Sequence, residues 1–125
     1  MYRNDCVVRA LVEVTGLEYW LVKEVLRLEG RRNDNTGFNV HGWLKKYKGE
    51  VLGFSFIKTD LRPEGKFFCY NKGHAWAVVN GILCDQVPGG RRHLECYLVI
   101  RNPDGDDTEP LMAKARQRAR IYMED

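Results

Sequence analysis

Cys6, His74 and Asp85 supply a thiol, an imidazole and a carboxylate, in that order along the chain. Those three groups together do nucleophilic acyl chemistry. The imidazole takes the thiol proton and later returns it to the leaving group, while the carboxylate holds one ring nitrogen and so sets the tautomer. The chemistry requires that two distant stretches meet, so each residue must be carried there by its own element.

His74 and Asp85 flank a hairpin signal. In Gly73-His74-Ala75-Trp76-Ala77-Val78-Val79-Asn80-Gly81-Ile82-Leu83-Cys84-Asp85-Gln86, small and apolar residues run into Asn-Gly and out again. Both central residues of a type I′ turn need positive φ, which Asn and Gly tolerate best. A two-residue turn pairs Val79 with Ile82, Val78 with Leu83, Ala77 with Cys84 and Trp76 with Asp85. Side chains alternate along a strand, so His74, Trp76, Val78, Leu83 and Asp85 are expected on one face and Ala75, Ala77, Val79, Ile82 and Cys84 on the other. His74 and Asp85 become diagonal neighbours, with Cβ atoms about 7–8 Å apart, a gap that their side chains can close. A three-residue loop would put them on opposite faces. Trp76 shares their face and is expected to line the site and shield it from water.

The thiol is placed by a helix. Asn4 or Asp5 suits an N-cap, Val7, Ala10, Leu11 and Val14 follow helical spacing, and Thr15-Gly16 ends the run, which predicts a helix over 4–15. Cys6 then lies in the first turn, where unpaired backbone N–H groups and the positive end of the helix dipole favour a thiolate. The bland alternative is a small buried hydrophobe.

A second helix is expected over 17–28, with Leu17, Trp20, Leu21, Val25 and Leu28 on one stripe, and a short one from Val40 to Tyr47. Residues 51–57 and 66–70, the two hairpin strands and residues 95–101 read as strands of an antiparallel sheet of four or five. Thr108 and Pro110 open a terminal helix with Leu111, Met112, Ala115, Ala119, Tyr122 and Met123 as its apolar stripe. The fold class is therefore α+β in a single domain: a helical part over 1–48, a sheet over 50–101 and a C-terminal helix over 108–123.

Composition narrows the function. At 125 residues, 44% hydrophobic and 30% charged, the chain has the balance of a soluble globular domain. Neither a signal peptide nor a membrane span is visible, so a cytoplasmic protein without membrane partners is expected. Cys6, Cys69, Cys84 and Cys96 form no Cys-x-x-Cys pair, which argues for reduced thiols over a zinc site or a disulfide scaffold. The segment 102–107 lacks the ligand spacing and closing Glu of a calcium loop, and no cofactor is expected. A net charge of +3 is small. Arg31, Arg32, Lys45, Lys46 and Lys48 read as a solvated face, and Lys114, Arg116, Arg118 and Arg120 spread around their helix without forming a stripe for nucleic acid. His41 and His93, with no carboxylate at fixed register, read as surface histidines.

The order Cys, His, Asp, with helices before the sheet, resembles the papain-like cysteine peptidases in their small forms. The motifs that carry it are Asn4-Asp5-Cys6-Val7-Val8-Arg9-Ala10-Leu11, Gly73-His74-Ala75-Trp76-Ala77-Val78-Val79 and Asn80-Gly81-Ile82-Leu83-Cys84-Asp85. They are also similar to short bacteriophage proteins that begin with an Asn-Asp-Cys-x-x-Arg-Ala helix. The resemblance implies Cys6 as nucleophile, His74 as general base, Asp85 as its orienting residue and a protein or peptide substrate attacked at an amide, isopeptide or thioester bond. Papain-like enzymes usually place a Gln several residues before the nucleophile as oxyanion donor. Only five residues precede Cys6 here, which leaves Asn4, beside the Cys6 backbone N–H, as the donor. Two further readings keep the same scaffold: a transglutaminase-like acyl transferase, and a catalytically silent module that binds a host protein.

Overall fold

A computed structural model describes residues 6–30, 39–71, 74–84, 95–102 and 110–123. Three helices come first: α1 (Cys6–Thr15), α2 (Tyr19–Leu28) and α3 (Val40–Lys46). Six strands follow, β1 (Glu50–Val51), β2 (Phe54–Lys58), β3 (Lys66–Asn71), β4 (His74–Val79), β5 (Ile82–Cys84) and β6 (Glu95–Arg101), and then α4 (Pro110–Met123). All the strand pairs are antiparallel, in the order β1-β2-β6-β3-β4-β5. The α+β class is as expected, with six strands in place of four or five.

The extra strand comes from a turn hidden inside an apolar run. Residues 51–57 were expected as one strand, but Leu52 and Gly53 both take positive φ (59° and 82°) and fold Val51 back onto Phe54. Leucine is a poor residue for that conformation. Its side chain is 2% exposed, so burial offsets the strain.

The Asn80-Gly81 turn forms as the spacing predicts. Asn80 (φ 50°) and Gly81 (φ 81°) give the type I′ geometry, and Val79 pairs with Ile82, Val78 with Leu83 and Ala77 with Cys84. Asn80 does more than turn the chain. Its backbone N–H donates to Gly65 O at 2.8 Å and its Oδ1 accepts from Gly65 N–H at 2.9 Å, tying the β2–β3 loop to the hairpin.

The sheet has two different faces. Phe56, Phe68, Ala75, Ala77, Tyr97 and Val99 join Val7, Val8, Ala10, Leu11 and Val14 of α1 and the buried side chains of α2 and α3 in the main core. Phe67, Cys69, Trp76, Val78 and Cys96 form a second buried cluster on the opposite face. α1 packs on β4, whose inward residues Ala75 and Ala77 are small enough to let the helix come close.

Two helix boundaries have a clear local cause. Thr15 Oγ1 donates to Leu11 O at 2.6 Å, and Gly16 (φ 76°) donates its N–H to Val12 O at 2.8 Å, closing α1 where Thr15-Gly16 was expected to close it. The N-cap assigned to Asn4 or Asp5 lies outside the described residues. Asn39 Oδ1 caps α3 by accepting from Gly42 N–H at 2.9 Å.

α4 packs against α2. Ala115 and Ala119, one turn apart, are fully buried, which confirms the centre of the expected apolar stripe. Glu24 of α2 is also buried, and it is held by two guanidinium groups: Arg27 Nε donates to its Oε2 at 2.8 Å, and Arg118 Nε of α4 lies 4.0 Å away. Arg118 therefore serves the helix packing. At the end of α2, Tyr47 Oη donates to Glu29 Oε2 at 2.7 Å and Lys46 Nζ approaches Glu29 Oε1 at 3.5 Å. At least one lysine of the expected solvated face is thus tied to a neighbouring carboxylate.

Candidate functional site

Cys6 is the first described residue of α1, half-buried and packed against the main core. His74 is the first residue of β4, also half-buried. The helix that Cys6 opens therefore lies on the strand that His74 opens. Farther along, Glu13 of α1 is close enough to Cys84 of β5 for its charge to help raise the Cys84 thiol, an effect second to burial. Cys84 stands opposite Ala77.

The faces are less simple than the order of elements. By register His74 shares its face with Trp76 and Val78, as expected, and its ring stacks on Trp76 with centroids 5.6 Å apart and planes 22° from parallel. Trp76 is 8% exposed, so the imidazole stacks on a buried ring. That face is the one turned away from α1, because α1 covers Ala75 and Ala77. Cys6 thus packs with the core on the α1 side of the sheet, while the His74 ring lies on the other face of β4. Asp85 and Asn4 lie outside the described residues, as does His93. The observed register through Cys84 is the one on which the assignment of Asp85 to the His74 face depends.

Two polar arrangements have no counterpart in the sequence reading. The first is a chain of hydrogen bonds on the helix-covered face: His41 Nδ1 lies 3.2 Å from Tyr70 Oη, which lies 3.4 Å from Tyr97 Oη. The two tyrosine rings stack at 5.9 Å, only 5° from parallel. Burial, reinforced by the bond to Tyr97, pushes the Tyr70 hydroxyl far above its ordinary range, so it stays neutral. His41 is exposed, as expected of a surface histidine, but partnered. Next to this chain, Glu95 Oε1 meets Lys58 Nζ at 2.8 Å.

The second is a pair of thiols. Cys69 and Cys96 are directly opposite each other on β3 and β6, and Cys69 Sγ donates to Cys96 Sγ at 3.5 Å. Burial pushes both thiols up, Cys69 strongly. Cys84 is raised as well. All three are poor sources of thiolate at neutral pH. No short motif announces either arrangement, since each depends on which strands become neighbours.

Among the described residues, no group of three or more His, Cys, Asp or Glu side chains is placed to hold a metal ion. No described helix is long and apolar enough to cross a membrane. Comparison with protein-family models, with curated proteins and with solved structures finds no match to this chain.

Proposed function

We propose that the protein is a thiol hydrolase of the papain-like class, phage-encoded and cytoplasmic, that cleaves an amide, isopeptide or thioester bond in a protein or peptide through an acyl-enzyme on Cys6. In this reading His74 is the general base and acid, Asp85 orients it, and the Cys6 backbone N–H with the Asn4 amide receives the oxyanion.

The observation that supports it best is the placement of α1 on β4. Glu13 is seven residues beyond Cys6, about 10.5 Å of helix. Ala77, across from Cys84, is three residues beyond His74, about 10 Å of strand. If α1 runs parallel to β4 from the Glu13–Cys84 level, these two lengths match and its first turn reaches the level of His74. The remaining thiols are weak competitors, because burial keeps Cys69, Cys84 and Cys96 protonated.

A different observation favours a catalytically silent module that binds a host protein: the His74 ring is stacked on Trp76, on the face away from α1. One experiment separates the two readings. Purified protein is incubated with acyl-directed electrophiles of several classes, a peptidyl vinyl sulfone, a ubiquitin-type propargylamide and an acyl thioester, and the adduct is mapped by mass spectrometry. The hydrolase reading predicts a single adduct on Cys6 with at least one probe, lost in Cys6→Ala. Absence of any adduct, or adducts spread over several cysteines, supports the binding module. An acyl transferase of the transglutaminase type would give the same adduct but hand the acyl group to an added primary amine.

A further inference from the structure

The residue directly opposite His74 in the sheet is Asn71. β3 and β4 pair from Lys66↔Val79 through Cys69↔Trp76 to Asn71↔His74, at the last rung before the connection between them. Directly opposed residues put their side chains on the same face, with Cβ atoms about 4.5–5.5 Å apart, closer than the about 7–8 Å of a diagonal pair. Asn71 is therefore a direct cross-strand neighbour of His74. Both Asn71 and His74 are half-buried, so a hydrogen bond between them is partly shielded from competing water. The Trp76 ring under the imidazole holds its plane, and a ring held flat on its neighbour presents its nitrogens sideways, toward the flanking strands.

Resting on the hydrolase reading, we infer that Asn71 is a positioning residue for His74: its side-chain oxygen accepts the Nδ1–H of the imidazole and leaves the Nε2 lone pair to receive the Cys6 proton. The amide is suited to this work. It is neutral at every pH of interest, and an amide oxygen beside Nδ1 selects the Nδ1–H tautomer. In this reading Asp85 modulates a ring whose tautomer is already chosen.

The test is nitrogen-15 NMR of the histidine rings in the full-length protein, read as tautomer populations above the imidazole titration. Wild type is expected to show His74 as the Nδ1–H form. In Asn71→Ala the ring should move toward the Nε2–H form that free histidine prefers, and Cys6 alkylation should slow roughly fivefold, the worth of one neutral hydrogen bond. Asn71→Asp keeps the acceptor and adds a charge, so it should keep the tautomer and move the His74 titration to higher pH. That second variant carries the test even if the alanine disturbs the turn. An unchanged His74 tautomer in Asn71→Ala, or an unmoved titration in Asn71→Asp, overturns the inference, as does a tautomer change seen only in Asp85→Ala. The hydrolase reading fails separately: if His74→Gln leaves Cys6 alkylation unchanged, His74 does not serve the thiol, whatever its tautomer.

Discussion

Deleting residues 109–125 is expected to lower the melting temperature of the protein by roughly 10 °C. The cause is the loss of α4 from α2. Ala115 and Ala119 are fully buried there, and Glu24 loses the Arg118 guanidinium 4.0 Å from its carboxylate. Uncovering that apolar contact costs about 2–4 kcal/mol at the usual value per buried side chain. For a domain whose whole stability is about 5–15 kcal/mol, that is a large share. At the few degrees per kcal/mol typical of this size, the shift follows. Ala119→Leu tests the same contact without truncation, since a larger side chain at a close helix crossing overpacks it by about 1–3 kcal/mol. Calorimetry of both variants decides the matter. A mobile basic tail would leave both melting curves in place and would show salt-sensitive binding to DNA or RNA instead.

The second large effect concerns register. A single glycine inserted between Asn80 and Gly81 is expected to reduce Cys6 alkylation by tenfold or more while far-ultraviolet circular dichroism keeps its helical signal. The observed pairing ends at Ala77↔Cys84, and continuing that register by one residue would set Asp85 opposite Trp76. One extra residue moves that position to the other face. Placing the insertion after Asn80 spares its two hydrogen bonds to Gly65, so the β2–β3 loop keeps its anchor. Unchanged alkylation in a folded variant would show that Asp85 takes no part in activating Cys6.

Much of the fold was legible because local signals and tertiary packing agreed. The positive φ at Asn80 and Gly81, the Thr15-Gly16 stop and the alternation through β4 each required a residue type that only one local structure suits. The turn at Leu52-Gly53 is not legible in the sequence because Leu52 looks like a strand residue, and only its burial in the finished core explains why it accepts a positive φ. Glu24 was equally opaque. A carboxylate on an apolar helix face reads as solvent-exposed until Arg27 and Arg118 are seen to close over it.

The candidate site was half legible. The sequence placed His74 and Trp76 on one face, and the structure adds the ring stack between them. Which face α1 would cover could not be read from β4, whose two faces are both apolar. The choice falls to Ala75 and Ala77, since a helix packs more closely on small side chains than on Trp76 and Val78. The His41–Tyr70–Tyr97 chain was invisible for a related reason: it joins α3, β3 and β6, and nothing short of the strand order brings those together.

The claim at the centre of this account is that His74 activates Cys6. It is tested most directly by measuring the rate of iodoacetamide alkylation at each cysteine by mass spectrometry near neutral pH, in wild type and in His74→Gln. The account predicts that Cys6 is alkylated at least tenfold faster than Cys69, Cys84 and Cys96 in wild type, because the thiolate is the reacting form and burial keeps the other three protonated. It also predicts that this lead shrinks by an order of magnitude in His74→Gln. Equal Cys6 rates in the two proteins would contradict it.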